Sequence, residues 1–414
     1  MKLLVVGFNA RPIAKSAKNA GYDLGVVDYF GDIDLFKLTS NCFTVLRQKP
    51  GNTLHRILHR SPPEYLYILS EVMIDEQGDF DGIILGSAFD RYPELIQQFS
   101  KLGPKLYSNT PEKFTKVRDI KQIQEIALKS GFKVPKTIVT KSTSDLIEIA
   151  KNHTYPLVSR SGGGGGGFGI KKWNNFEELK EFFNEKEIDI EKEYWIQEYI
   201  EGVDASASII CSKDQNHIIS INQQIIGDRN LYSPSDFSYC GNIVPLRTTQ
   251  TSNEGKLQEK ISSMIQDLFS KLDLIGSNGI DFVIKNDNIY FMEINPRIQG
   301  SIECLEYATG LNLMDLHISA CEGKKLDLPS IPHYKRIAIK GILFSGNEQP
   351  IQVNQYPKNR WIVDRTHYNI FLEKGDPFCS IVMPVSSQEK GYNKMIKIAK
   401  KIIKMNQRKI LESF

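Results

Sequence analysis

Asp281, Glu293, Asn295 and Arg297 fall within one stretch, GIDFVIKNDNIYFMEINPRIQG, and are residue types that together can hold a metal ion and an anion. The stretch reads as two short strands rich in Ile, Val, Phe and Tyr around a polar Asn286-Asp287-Asn288 turn, which predicts a hairpin. A three-residue turn pairs Lys285 with Ile289, Val283 with Phe291 and Asp281 with Glu293. Side chains alternate along a strand, so Asn295 shares the face of Glu293. Opposed carboxylates repel unless a cation lies between them. An all-oxygen set of Asp, Glu and Asn suits Mg²⁺, which takes its remaining ligands from water and phosphate. Pro296 stops the strand and Arg297 adds a fixed positive charge beside the acids. With Ile289, Phe291 and Val283 on the same face, a plain solvated hairpin is the weaker reading.

The rest of the chain must position these groups. Its 414 residues suit two or three lobes, and 41% apolar and 24% charged residues with a net charge of +3 describe a soluble globular protein. Nothing in this balance points to nucleic acid or membrane. The apolar start turns at Gly7 without a signal-peptide core, and no apolar run of membrane-spanning length follows. Six scattered cysteines without a C-x-x-C pair read as reduced thiols of a cytoplasmic protein.

Residues 3–28 read as a βαβ unit, KLLVVGF, IAKSAKNAG and LGVVDYF, and DGIILGS is a further strand. The first loop lacks the spaced glycines of a dinucleotide fingerprint. Arg11, Asp28, Ser87 and Asp90 lie at the carboxyl edge of these strands, where open α/β sheets bind small molecules. They are candidate substrate contacts, with ordinary loop roles as the alternative. His55 and His59, at i, i+4 spacing with no third ligand nearby, read as a helix surface. Thr110-Pro111 starts a helix that runs to a Gly131 stop. In YPLVSRSGGGGGGFGIKKW, seven glycines between 162 and 169 are flanked by ordered strands, so the run is a strand-to-strand loop rather than a linker. Glycine backbone can approach phosphate closely and donate its N–H groups. FEELKEFFNEKEIDI is an amphipathic helix and YWIQEYIEG a strand, followed by strands ASASIIC and HIISINQQIIG. DRNLYSPSDFSYCGNIVPLR carries little periodicity. Helical pattern returns over 254–272 and from Ser301 through Leu316. Beyond a proline-containing linker come strands KRIAIKGILFS, RWIVDRTH and PFCSIVMPVS, and a basic terminal helix whose Met and Ile residues at 395, 398, 402 and 405 share a face. That helix packs on the β domain in the simpler reading; a membrane-surface or acidic-partner helix is the other.

The E-I-N-P-R run, with an Asp twelve residues before its Glu, resembles the metal-binding core of the ATP-grasp ligase superfamily. The V-R-D pattern at 117–119 is similar to a branch described as predicted ATP-dependent carboligases, and characterised relatives such as tyramine-glutamate ligase join amino acids to amines. The resemblance implies an α/β ATP-grasp fold: a Rossmann-like pre-ATP-grasp domain at 1–109, an ATP-grasp domain at 110–328 with a lid at about 134–200, and a small C-terminal β-rich domain at 329–414. LEKGDPFCSIVM is similar to the closing β domain of carboxylase-type members.

Residue by residue, the resemblance places ATP phosphates on Arg118, with Lys116 and Lys121 as rivals, on Arg160, and on Gly164, Gly165 and Gly166 of the mobile loop. Both arginines stand where the family usually has lysine; they keep the charge and add a phosphate-gripping fork. Adenine falls to Glu198, Tyr199 and Ile200, and the ribose to Asp204, with Glu201 second. Two Mg²⁺ or Mn²⁺ ions fall to Asp281, Glu293 and Asn295, with Arg297 stabilising an acylphosphate and Gln299 and Ser301 near the acyl group. The implied reaction is phosphoryl transfer from ATP to a small carboxylate, followed by amine attack. A homodimer is compatible with it. The competing readings are a bicarbonate-using carboxylase, for which the chain shows no biotin-attachment signal, and a nucleotide-binding sensor without chemistry.

Overall fold

The computed structural model describes residues 1–54, 61–161, 166–167, 169–185, 194–247, 254–329 and 332–407. His55, His59, Gly164, Gly165 and the lid-helix reading beyond Glu185 lie outside these residues.

The N-terminal part runs β1 (Lys2–Gly7), α1 (Arg11–Asn19), β2 (Asp23–Asp28), β3 (Cys42–Thr44), α2 (Pro62–Gln77), β4 (Gly82–Leu85), α3 (Pro93–Phe99) and β5 (Lys105–Tyr107). All strands are parallel, in the order β3-β2-β1-β4-β5. β1 is a continuous apolar run because both its faces are covered. Leu3 and Val5 pack with Ile13, Ala14 and Ala17 of α1, while Leu4 and Val6 pack with Leu66 and Met73 of α2 and Ile96 and Phe99 of α3. β3 and β5, three residues each, are too short to carry a period and are absent from the sequence reading.

Next come α4 (Pro111–Arg118) and α5 (Ile120–Lys129). They correct the single predicted helix. Asp119 leaves helical geometry at ψ 98° and its carboxylate accepts the N–H groups of Lys121 and Gln122, so it caps a second helix. The segment expected to form the lid comprises β6 (Thr137–Thr140), α6 (Thr143–Lys151), β7 (Leu157–Ser161), β8 (Ile170–Trp173), α7 (Phe176–Glu185) and β9 (Tyr194–Glu198), with its strands in a sheet of order β6-β9-β7-β8. β7 and β8 are antiparallel, Arg160 opposite Ile170, so the glycine run does connect two paired strands.

The largest sheet begins with β10 (Val203–Cys211), β11 (Asn216–Ile226) and β12 (Tyr239–Val244), the last hidden in the aperiodic stretch. After α8 (Glu254–Ser270) come β13 (Gly276–Lys285), β14 (Asn288–Asn295), α9 (Ile302–Thr309) and α10 (Leu313–Cys321). Gly310, at φ 77°, separates the last two helices, which the sequence reading ran together. Then follow β15 (Ile337–Phe344), β16 (Ile351–Gln352), β17 (Ile362–Val363), β18 (Phe371–Leu372), β19 (Pro377–Val385) and α11 (Gln388–Gln407). The sheet order β14-β13-β10-β11-β12-β15-β19-β17 makes the C-terminal strands continuous with the hairpin. α11 packs Met395, Ala399, Ile402 and Ile403 on this sheet, the simpler of its two readings.

One face of β10, β11, β13 and β14 is apolar: Ala205, Ala207, Ile280, Phe282 and Ile294 meet Ile261, Ile265 and Leu268 of α8. The opposite face is polar. At the outer edge, Lys133 forms a parallel bridge to Tyr290, its N–H donating to Ile289 O at 2.8 Å and its C=O accepting from Phe291 N at 2.8 Å.

Candidate active site

The hairpin turn has two residues, Asn286 and Asp287, both at positive φ (50° and 60°), with Lys285 paired to Asn288. This corrects the predicted register: Val283 pairs with Tyr290, Ile284 with Ile289, and Phe282 with Phe291. A bulge between Asp281 and Phe282 absorbs one extra residue on β14 and restores Asp281 opposite Glu293. The bulge also moves Ile289 and Phe291 into the apolar core, so of the three apolar residues placed on the acids' face only Val283 shares it.

A polar row crosses four strands: Asn222, Ser206, Asp281 and Glu293. The next row holds Ser220, Ser208, Gly279 and Asn295. Asp204 lies on the same face, two residues before Ser206. Asp281 accepts from Asn295 Nδ2 at 2.9 Å and from Gln224 Nε2 at 3.0 Å. Gln224 was not identified from the sequence, although the alternating Ser220, Asn222 and Gln224 of β11 was its signal. Burial, then the facing Glu293 carboxylate, pushes Asp281 up to about 7. Burial alone pushes Asp204 up to about 6.

Three arginines converge here from three elements. Arg160 Nη1 of β7 lies 3.5 Å from Glu293 and its guanidinium stacks 4.4 Å from the Trp195 ring centroid. Arg118, at the end of α4, lies 3.7 Å from the same carboxylate. The helix break at Asp119 sets this position. Asp90 accepts from Arg118 Nη2 at 2.8 Å and from Arg297 Nε at 2.8 and 2.9 Å, and Arg297 Nη2 reaches Asn295 Oδ1 at 3.4 Å. Burial alone would raise Asp90, but Arg297 and Arg118 outweigh it and hold the carboxyl below its usual range. Asp90, a predicted substrate contact, is thus a bridge between two arginines.

The turn after β14 is held by Asn109, whose Nδ2 donates to Pro296 O at 2.9 Å and to Asn278 Oδ1 at 2.8 Å. Gln299 Oε1 accepts from Ser208 Oγ at 2.7 Å, and Ser301 Oγ lies 3.5 Å from the same hydroxyl. Gly279 makes room for this: a Cβ there would stand 1.7 Å from Gln299 Nε2. Gly166 accepts from Tyr239 N at 3.0 Å, and a Cβ on Gly167 would stand 1.7 Å from Phe237 O, so the described end of the glycine run seats against the entry to β12. Glu198 is exposed at the end of β9, Ile200 is buried, and Tyr199 N–H is taken by Pro156 O at 3.2 Å.

The N-terminal candidates sit elsewhere. Arg11 is 2% exposed and bonds Glu303 of α9 and Asp364 of the C-terminal segment, with Asp34 3.3 Å away. Asp28 is buried and accepts from Ala10 N at 2.7 Å and Gly31 N at 2.6 Å. Both are corrected to structural roles: their polar atoms are committed to other parts of the fold. Ser87 accepts Phe8 N at 2.9 Å through its backbone, and its side chain has no hydrogen bond among the described residues.

Among the described residues no group of three His, Cys, Asp or Glu side chains has a metal-holding arrangement, so the donor set is two acids and an amide. Its chemistry still fits a hard divalent cation, because Asp281 is buried opposite the Glu293 carboxylate and the ligating atoms are all oxygen. Also among the described residues, no helix is long and apolar enough to cross a membrane.

Comparison with known proteins bears on the fold that carries this arrangement. Residues 119–301 match the ATP-grasp domain family. The chain is 25% identical over 391 residues to an uncharacterized protein of Methanocaldococcus jannaschii, covering 92% of this chain and 88% of that one. It is 22% identical over 323 residues to pyruvate carboxylase 1 of Caenorhabditis elegans, covering 71% of this chain but only 26% of that protein. The biotin carboxylase domain of Hydrogenobacter thermophilus 2-oxoglutarate carboxylase, solved as a dimer with MgADP, ADP and bicarbonate, superposes with a TM-score of 0.71 at 16% identity, over 96% of this chain and 89% of that one. The chain therefore has the ATP-grasp fold, and residues 119–301 are the part that matches the family.

Proposed function

We propose that this protein is an ATP-dependent carboxylate–amine ligase that works through an acylphosphate and releases ADP and phosphate. The observation that carries the reading is the placement of Asp281, Glu293 and Asn295 on one sheet face, with Arg118 and Arg160 within 3.7 Å of Glu293. That pairing of an oxygen donor set with cationic forks suits a metal–triphosphate. The Hydrogenobacter thermophilus structure, which holds MgADP, supports a nucleotide with magnesium.

In this reading Asp281, Glu293 and Asn295 hold Mg²⁺, two ions in all, with Mn²⁺ as a substitute. Bound there, the metal neutralises charge on the transferring phosphoryl group. Arg118, Arg160 and the backbone of Gly164, Gly165 and Gly166 bind the phosphates, Glu198, Tyr199 and Ile200 bind adenine, and Asp204 binds the ribose. A substrate carboxylate oxygen attacks the terminal phosphorus and the bond to ADP breaks. Arg297, oriented by Asp90, stabilises charge on the acylphosphate and on the tetrahedral adduct. The amine then attacks the acyl carbon, phosphate leaves and the amine loses a proton. Gln299 and Ser301 lie beside that centre in this reading, and Ser87, whose side chain has no partner among the described residues, remains the N-terminal candidate for substrate.

The test is ADP release on addition of paired amino acids and amines, with Glu293→Gln as control. Nucleotide binding with no turnover in any mixture would leave a sensor instead. A second reading, carboxylation through carboxyphosphate, is favoured by the fold likeness to a biotin carboxylase domain over 96% of the chain. ADP release that needs bicarbonate and no amine would select it. The finer likeness to tyramine-glutamate ligase remains part of this proposal, as does a dimeric, cytoplasmic enzyme.

A further inference from the structure

Lys340 of β15 is 3% exposed, a rare place for a lysine. In the ladder it stands opposite Asn242 of β12, which in turn stands opposite Gln224 of β11. Opposed residues of antiparallel strands share a face, and the Gln224 amide donates to Asp281 on that face. Lys340 therefore belongs to the polar side of the sheet that carries the acids.

An ammonium group has three protons to donate. Among the described residues this one makes a single hydrogen bond, to Gly300 O at 2.9 Å, and no ion pair. Its ladder partner is occupied, because Asn242 Oδ1 accepts from Tyr239 Oη and Asn242 Nδ2 reaches Gln223 O at 3.4 Å. Burial alone would raise Asp364, but Arg11 and then Lys340 outweigh it and hold that carboxyl at about 2. Lys340 exerts this influence from beyond ion-pair distance, and Asp364 Oδ2 has no hydrogen bond of its own. A buried cation without a direct counter-charge is costly, and internal water is the ordinary way to complete its bonds.

The place of Lys340 argues for more than water. The carbonyl it holds lies between Gln299, which is bonded to Ser208, and Ser301. One turn thus joins the lysine to the residues assigned beside the acyl centre. β15 is also four strands from β13 in the sheet, so the backbones of Lys340 and Asp281 stand up to about 20 Å apart along it. That separation suits the far end of a substrate rather than its reacting group.

We propose that Lys340 holds a substrate carboxylate that takes no part in the reaction, at the end remote from the new bond. The inference rests on the ligase reading above and narrows its substrate class: at least one of the two partners bears an acidic group beyond those that react.

The experiment is steady-state ADP release by the full chain and by Lys340→Met and Lys340→Gln, with partners that differ only in the extra acid. On the donor side glutamate is set against 4-aminobutyrate, and on the acceptor side tyrosine against tyramine. Loss of one charge-assisted contact should raise KM for the acid-bearing member about tenfold more than for its counterpart, in both variants. The pair in which this happens identifies which substrate carries the group. Lys340→Met should melt no lower than the parent, because an apolar side chain replaces a buried charge. Equal KM changes within both pairs, or no change in either, would overturn the proposal and leave the ligase reading standing. Lys340→Gln behaving as the parent would also overturn it, showing a lysine that only holds the Gly300 carbonyl. A parent that releases ADP solely with partners lacking a further acid overturns it as well, whereas no ADP release in any combination removes the ligase reading together with it.

Discussion

Two clusters of arginine and carboxylate occur in this molecule, and they are built in opposite ways. Around Arg11, one guanidinium bonds Glu303 and Asp364, Lys15 Nζ adds a contact to Glu303 at 3.0 Å, and Asp34 accepts the N–H groups of Asp364 and Arg365. Arg11 and Glu303 are each 3% exposed in their side chains. Around Glu293, three arginines approach from separate elements, the carboxylate is 28% exposed, and Arg118 keeps a spare donor. The first cluster joins α1, α9 and the C-terminal segment, with its arginine committed to carboxylates and one buried Asp364 oxygen left without a hydrogen bond. The second leaves charge unanswered where a ligand can enter. Near-complete burial with the arginine committed to carboxylates marks the structural cluster, and partial exposure with a spare arginine donor marks the candidate site.

Substitutions should separate the two. Arg11→Ala removes the cation from buried Glu303, Asp364 and Asp34 and should cost about 3–5 kcal/mol of stability by urea unfolding; a loss below about 1 kcal/mol would show that the cluster does not hold the parts together. Glu293→Gln should leave unfolding nearly unchanged while lowering ADP release on the order of a hundredfold. Full activity in that variant would remove the distinction drawn here.

Gly279→Ala probes the join between site and scaffold. The new Cβ must displace the Gln299 amide and its bond to Ser208, which should cost about 1–3 kcal/mol and raise KM for the acceptor more than for ATP. An unchanged KM ratio would place the acceptor elsewhere.

A pH-dependent effect concerns Asp28, on the structural side. Burial pushes its pKa from the ordinary 3.8 up to about 7. Its folded pKa is thus above its unfolded one, so the folded state holds the extra proton and stability falls as pH rises between about 4 and 7, by at most about 1.4 kcal/mol per unit. Asp28→Asn should flatten that slope in melting curves taken across this range. An identical slope in both proteins would assign it to other groups, Asp32 first.

The ribbon was legible in the sequence because polar turn residues and apolar strands announce a hairpin whatever its register. Its register was not. A two-residue turn and a bulge shift the pairing by compensating amounts, so Asp281 met Glu293 for a reason the alternation did not contain. The helix break at Asp119 was hidden because the apolar spacing of Ile120, Ile123 and Ala127 runs on smoothly after it. Arg11 pairs with Asp364 across 353 residues, and Asp90 with Arg297 across 207, separations at which local pattern carries no information. The β12 strand was missed because Gly241 and Asn242 interrupt its apolar pattern, and its place is fixed by pairing with β11 and β15.

The bridge that ties Lys133 to Tyr290 sits at the first step into the lid. One of the two chain connections of that sheet is therefore pinned to the very strand that bears Glu293. The coordinate that Arg160 traces is measured from the acidic ribbon itself, so opening and shutting would alter the gap between those two charges directly, without passing through the N-terminal lobe.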